Sequence, residues 1–396
     1  MPRVLLLLPT ATYRAPDFVR AAAHLGVDVV VGSEEPQAMA AAMGDRAVVV
    51  PLSDPEDAAR TIVDLDRRAP IDAVIAVDDQ GVLVAATAGE QLGFPHNPPA
   101  AVAATRDKAS MRRALAAAEV PQPRFAVADD PSALPEVGYP CVVKPIGLSA
   151  SRGVIRADDA EGARAAAERV RAIVDGPILV EEYVPGVEVA VEGLLHAGTL
   201  DVLAVFDKPD PLVGPYFEET IYVTPSRLPV DVVALVGDVT ARACAALGLV
   251  EGPIHAEVRV DGDRAWVIEV AARSIGGLCA RSLRFGAGIA LEELILRHAL
   301  RMPLDGLARE TAASGVMMLP IPSAGVLRAV RGQDTARAVP GITGLEITVA
   351  NGRRVQPLPE GDRYLGFLFA RGETPAEVEA SLRSAHAALD VDIEPA

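Results

Sequence analysis

Lysine is almost absent from this 396-residue chain: of 37 basic residues only Lys108, Lys144 and Lys208 are lysines, and arginine supplies the rest. A tolerant surface accepts arginine for lysine. A site that needs a compact ammonium with three donors does not, because the guanidinium is planar and wide. The three lysines are therefore the first candidates for chemistry. Basic charge as a whole is also short, with 54 acidic residues giving a net charge of −17. That balance excludes a large nucleic-acid surface, since phosphate backbones need a basic face. Nucleotides stay open, because a few placed cations and a divalent metal suffice for them.

Cysteine is limited to Cys141, Cys244 and Cys279. They are widely spaced and odd in number, so they form neither a disulfide framework nor a zinc pattern, and read as small core residues in a reducing compartment. No glycine precedes a lysine anywhere, which excludes a Walker phosphate loop, and the first turn (residues 9–13) has no glycine for a dinucleotide fingerprint. The apolar run at residues 4–8 is too short for a secretory leader, and no later stretch is long enough to span a bilayer. The expectation is a cytoplasmic protein with no membrane and no nucleic-acid partner. Aromatics are only 4%, so the cores must be aliphatic.

What is present is well suited to folding. Half the residues are hydrophobic (50%) and the mean hydropathy is +0.26, far from the polar signature of disorder. The length calls for about two to four compact units. Residues 4–8, 27–31, 47–50 and 73–77 read as short continuous apolar strands, with alanine-rich helices at 18–25 and 55–68 between them. That alternation predicts an α/β, doubly wound parallel sheet over residues 1–99. The Phe94-Pro95-His96-Asn97-Pro98-Pro99 stretch ends it as a stiff linker. Residues 105–120 read as one helix carrying Lys108, and 124–127, 141–144, 153–156 and 178–182 as strands around a helix at 160–174. Strands follow at 188–195, 202–206, 255–260 and 265–270, with a helix at 232–247 and further helices around 282–301. The remainder, residues 304–396, reads as a small cap that ends in a helix opened by Thr374-Pro375, where threonine caps and proline fills the first turn.

Three segments carry chemistry. Cys141-Val142-Val143-Lys144-Pro145 delivers a lysine from a buried strand into a loop of glycine and small hydroxyl residues, with Gly147, Ser149, Ser151 and Gly153. Such a loop can lay N–H groups and hydroxyls around phosphate oxygens; an ordinary hairpin with an exposed lysine is the alternative. Leu179-Val180-Glu181-Glu182-Tyr183-Val184-Pro185-Gly186-Val187-Glu188 runs a strand into a turn with carboxylates on both sides. Exposed backbone there suits an adenine edge, and a later carboxylate suits ribose hydroxyls; an acidic strand end is the alternative. In the third segment Glu257 and Glu269 lie on two apolar strands joined by Asp261-Gly262-Asp263. In a hairpin both can face one side and converge on a hard cation. Arg273, four residues on, suits bidentate capture of a phosphate or carboxylate. His255 shares a strand face with Glu257 and reads either as a support for substrate or metal, or as a structural histidine.

Taken together, residues 108–273 resemble the ATP-grasp superfamily, which implies a doubly wound N-terminal domain, a two-lobed ATP-grasp fold (lobes at 100–187 and 188–303, α+β) and a small C-terminal cap. The resemblance implies ATP and magnesium as cofactors, with manganese able to substitute. Lys108 and Lys144 match the two phosphate-binding lysines, with Ser149, Ser151 and Gly153 in the mobile loop. Glu181, Glu182 and Val184 match the adenine hinge, Glu188 the ribose-binding glutamate, and Glu257 and Glu269 the metal carboxylates. Arg273, Lys208 and His255 are the catalytic candidates it implies. Many members carry asparagine two residues after the second metal glutamate; here Ala271 stands there, so the second metal has fewer protein ligands or takes oxygens from phosphates and water. The Glu-x-Ala-Ala-Arg run, the segments at 206–211 and 215–220, and the C-terminal unit resemble the L-amino acid ligases that form dipeptides. A small-molecule carboxylate and an amine are then the implied substrates, and a homodimer is compatible. Carboxylase-like or purine-pathway ATP-grasp reactions are the alternative, and a nucleotide-binding regulator without catalysis is a more distant one. Past Arg273, Gly276 and Gly277 put no side chains beside the presumed reaction centre, which suggests a pocket for a bulky group or a turn that needs glycine.

Overall fold

The computed structural model describes residues 1–9, 12–36, 43–130 and 133–395. The first unit is a parallel sheet in the order Ala47–Val49, Asp28–Ser33, Arg3–Leu7, Ala73–Ala76. Its strand Arg3–Leu7 is apolar from Val4 to Leu7 because both faces are covered there. Val4 and Leu6 face the helix Ala15–Leu25, whereas Leu5 and Leu7 face the helices Pro55–Arg68 and Val82–Leu92. Of the expected glycine-free first turn, Thr10 and Ala11 lie outside the described residues.

The single helix expected over 105–120 is two, Pro99–Arg106 and Lys108–Ala117. Asp107 breaks it: its backbone is extended (φ −121°, ψ 102°) and its side chain accepts from the Ser110 N–H, the bond of an N-cap. Lys108 therefore starts a helix instead of riding mid-helix. The expected proline-rich linker is likewise shorter, since Pro99 already opens the first of these helices.

A small antiparallel sheet follows, in the order Phe125–Ala128, Ile178–Glu182, Cys141–Pro145, Ile155–Ala157, backed by the helix Ala160–Ile173. The largest sheet is antiparallel with eight strands, from Arg264–Ala271 through Gly252–Asp261, Val187–His196, Thr199–Asp207 and Ile221–Thr224 to Ala313–Leu319, Gly366–Gly372 and Ile342–Ile347. The last three come from residues expected to form a separate cap. They pair where Ile221–Thr224 would otherwise be left as an open edge, a row of unpaired N–H and C=O groups. Only Arg354–Val355, Gly325–Arg331 and Asp390–Glu394 form a sheet of their own. The final helix, Pro375–Ala387, begins at Thr374 as expected, with a reciprocal bond from Glu377 that completes a capping box.

Between residues 282 and 301 one α-helix forms, Leu291–Ala299, after a single turn at Cys279–Ser282. It packs under the parallel sheet beside Ala15–Leu25 and so joins the first unit to the large sheet. Among the described residues no helix is long and apolar enough to cross a membrane.

Candidate active site

Three of the four sheets meet around one cavity of about 270 Å³, which opens between the parallel unit, the small sheet and the large one. Lys108 and Lys144 line it, and Lys208 lies behind its wall, paired with the lining carboxylates Glu188, Glu219 and Glu257. Lys144 projects from Cys141–Pro145 and is 4% exposed, with Nζ 2.7 Å from Glu181 Oε2. Arg112 Nε approaches the other oxygen of Glu181 at 2.5 Å, and its remaining nitrogens donate to the Val267 and Ile268 carbonyls. Burial alone would raise the Glu181 carboxyl, but the two cations outweigh it and hold the group at about 2. Lys144 sees one carboxylate and one guanidinium, whose effects oppose, so burial decides and its ammonium is held below the ordinary lysine range. The Glu181 side chain thus anchors Lys144, while Glu181 itself lines the cavity. Glu182, next in the strand, pairs with Arg124 at 2.6 Å, and Val184 gives its carbonyl to Arg259.

The hairpin that carries Glu257 and Glu269 forms as expected. Glu257 and Glu269 are cross-strand partners, and both line the cavity. On the other side of Gly252–Asp261 the register places His255 opposite Glu192 and Arg259 opposite Glu188. Side chains directly opposite one another on adjacent strands meet, and these do. His255 Nδ1 is 2.5 Å from Glu192 Oε1, and Arg259 Nε is 2.9 Å from Glu188 Oε2. Glu192 is itself held by the Ile275 N–H at 3.0 Å. His255 therefore has a structural partner on one nitrogen, while Nε2 faces the cavity 3.9 Å from Glu257.

Lys208 lies among three carboxylates, 2.7 Å from Glu188 and 3.3 Å from Glu257, with a short bond to Glu219. Burial would lower its pKa, but Glu188, Glu219 and Glu257 raise it well above the ordinary value. Both oxygens of Glu188, the expected ribose ligand, are engaged, one by Lys208 and one by Arg259. Glu219 also accepts from the Tyr222 hydroxyl at 2.7 Å.

The residues at this corner suit a hard divalent cation. The donors are carboxylate oxygens, the set such an ion takes, and two ammonium groups already lie against them. Lys208 is 3.3 Å from Glu257, and Lys108 is 3.4 Å from Glu269. Ala271 offers no ligand, but Glu219 comes within 4.8 Å of Glu257 and Glu188.

The expected phosphate loop closes over the cavity. Leu148 accepts a 2.6 Å bond from Lys108 Nζ, and Ala150 and Ser151 adopt left-handed backbone (φ 57° and 54°). The Gly153 N–H donates to the Pro359 carbonyl at 2.9 Å. Ser149 and Ser151 line the cavity. Arg273, expected to meet a phosphate or carboxylate, holds Asp79 with bonds of 2.7 and 3.1 Å.

Sequence reasoning missed Arg112, Glu192, Arg259, Glu219 and Asp79. Two of them had a signal. Arg259 continues the alternation from His255 and Glu257, and Asp79 lies just past the carboxyl end of a parallel strand, where ligand crevices form. One expectation is corrected: Gly277 does not leave open volume. Its φ is +61°, and a Cβ there would lie 2.8 Å from the Phe367 ring, so the space is filled. Gly276, which also lines the cavity, has nothing within 4 Å of that position.

A family model described as an ATP-grasp domain matches residues 137–282, an ATP-grasp N-terminal domain matches 19–96, and an L-amino acid ligase C-terminal domain 2 matches 317–394. Alanine–anticapsin ligase of Bacillus subtilis is 27% identical over 269 residues, 61% of this chain and 56% of that protein. The chain thus spans little more than half the length of that relative. Formate-dependent phosphoribosylglycinamide formyltransferase of Burkholderia thailandensis is 30% identical over 338 residues, 80% of each chain. The crystal structure of L-amino acid ligase from Bacillus licheniformis superposes with a TM-score of 0.83 at 25% identity, covering 100% of this chain and 99% of that one.

Proposed function

The chain belongs to the ATP-grasp superfamily, and from that premise we propose that it is an ADP-forming ligase that joins a small carboxylate to an amine, with an amino acid on at least one side. The observation that carries this reading is the convergence of Glu257, Glu269, Lys108 and Lys144 from separate elements on one cavity, with Lys208 paired to Glu257 behind them. The superposition on an L-amino acid ligase over the whole chain favours amino-acid substrates.

Lys108 and Lys144 would neutralise phosphate oxygens, and Glu257 and Glu269 would hold magnesium. Magnesium, when bound, supplies charge neutralisation on the phosphoryl group as it transfers. The carboxylate substrate would take that phosphoryl group as a mixed anhydride, and the amine would then displace phosphate. Arg273, fixed by Asp79, would orient an anionic group beside the reacting carbonyl. Residues 147–153 would keep water from the anhydride while the amine arrives. His255 Nε2 is within reach to support a group bound at Glu257. Three buried free cysteines accord with a reducing, cytoplasmic setting.

A second reading, a purine-precursor ligation fed by formate, rests on the relative that shares 80% of the chain. Phosphate and ADP release with magnesium-ATP and mixed amino acids separates the two. Turnover with amino acids supports the ligase; turnover only with formate and a phosphoribosyl amine supports the second reading. No release under either condition overturns both.

A further inference from the structure

The strand Val187–His196 runs away from the active site: Glu188 faces the lysine cluster, and His196, eight residues on, lies about 26 Å distant at 3.3 Å per residue. At that far end His196 meets Glu251 and His298, none of which the proposed ligase chemistry uses. We propose that these three side chains form a site for a divalent transition metal of the zinc class, which pins the helix Leu291–Ala299 to the large sheet.

The donor atoms all lie within 4.8 Å of one another. His298 Nε2 is 3.0 Å from Glu251 Oε1, and His196 Nδ1 is 3.9 Å from the same oxygen. Donors on a tetrahedral zinc, at about 2.0–2.2 Å from the ion, are about 3.3–3.5 Å apart, so small side-chain rotations suffice.

Two of these atoms make no hydrogen bond, and Glu251 Oε1 keeps only ion-pair contacts, to His196, His298 and Arg301. Glu251 Oε1 and His298 Nε2 are both buried and lie 3.0 Å apart. Their side chains are 11% and 5% exposed. Orphaned buried polar atoms are rare and costly. A metal satisfies both lone pairs at once, without asking either group for a proton. Asn97 holds Glu251 in place, accepting from the Val250 and Glu251 N–H groups at 2.7 and 2.8 Å and donating to the Glu251 carbonyl at 2.7 Å. The site lies in the last turn of its helix, where the helix dipole favours a cation.

One cation already competes. Arg301 NH1 is 3.0 Å from Glu251 Oε1 and 2.8 Å from His196 Nδ1. Its side chain is 43% exposed and can swing to solvent, so arginine and metal are alternative occupants. The donor set distinguishes this site from the carboxylate site in the cavity: imidazole selects zinc, cobalt or nickel over magnesium.

The test is a cobalt titration of the full chain carrying Glu257→Gln and Glu269→Gln, which removes the carboxylate site. The expected result is one equivalent of cobalt with a visible band of low-symmetry nitrogen and oxygen coordination, displaced by zinc and not by magnesium. Zinc should also raise the Tm by several degrees. His298→Gln and His196→Gln should each abolish the band. His196 is 67% exposed, so its variant keeps the fold. Arg301→Ala should tighten binding at least tenfold. Absence of the band, or a band that survives His196→Gln, overturns the proposal.

Discussion

Arg273 holds Asp79 through two hydrogen bonds, 2.7 Å from Nε and 3.1 Å from Nη2, between residues 194 positions apart. The pair joins the parallel unit to the large sheet at the cavity wall. Burial would raise the Asp79 carboxyl, but Arg273 outweighs it and holds the group below the usual aspartate range. Asp79→Asn should therefore leave Arg273 misaligned. A charge-assisted hydrogen bond contributes about 1.5–3 kcal/mol, which corresponds to roughly a 10- to 100-fold drop in ADP release. Unchanged turnover would reduce Asp79 to a tether between domains.

Glu257→Gln and Glu269→Gln should remove most turnover while the protein still melts cooperatively, because both side chains face the cavity and neither lies in a hydrophobic cluster. Near wild-type activity in both variants at saturating magnesium would contradict their assignment.

Glu181 makes acid stability testable. Its carboxyl is held at about 2 against an ordinary value of 4.5. A lowered folded pKa contributes stability that is complete above the unfolded value and is lost as pH falls from about 4.5 toward about 2. The contribution is on the order of 3 kcal/mol. Glu181→Gln should remove that part of the pH dependence and cost roughly 3–5 kcal/mol at neutral pH, since Arg112 and Lys144 would lose their anion. Urea midpoints measured from pH 7 to pH 3 give both quantities. An unchanged acid slope in the variant would show that Glu181 is not the titrating group.

The two glycines beyond Arg273 should respond differently. Gly277→Trp meets Phe367 in a left-handed backbone position, so its Tm should fall and turnover should drop for every substrate. Gly276→Leu enters open space and should keep the Tm while losing activity on large amino acids and sparing glycine and alanine. Equal losses across a substrate panel for Gly276→Leu would remove it from the acceptor pocket.

Glu360 fastens the phosphate loop from the C-terminal side. Its carboxylate takes bonds of 2.5 and 3.1 Å from Arg169, and its carbonyl takes 3.1 Å from Arg152, next to the Gly153–Pro359 contact. Arg152→Ala, which removes the loop's side-chain bond to that carbonyl, should loosen the loop and admit water, so phosphate release should rise relative to amide product. A product-to-phosphate ratio equal to that of the wild type would show that the contact does not control closure.

Much of the site was legible in the sequence because its signals are local. Lys144 follows an apolar run and precedes small residues. Glu257 and Glu269 flank a short turn, so period-2 geometry puts them on one face. Asp107 carried a cap signal too, yet the alanine-rich helical pattern around it obscured the break. The pairing of Glu181 with Lys144 was hidden for another reason: alternation places a side chain on a face but does not name what lies across the sheet.

The amino-acid order by itself determined the strands of the parallel unit, the lysine loop and the hairpin carrying Glu257 and Glu269, since each depends on hydrophobic period and turn chemistry within about ten residues. Tertiary structure decided the rest. It joined Asp79 to Arg273, closed the large sheet with strands from residues 313–372, filled the space at Gly277 with Phe367, and brought His196, Glu251 and His298 to one point. Those outcomes follow from which distant surfaces exclude water together, and no local pattern encodes that choice.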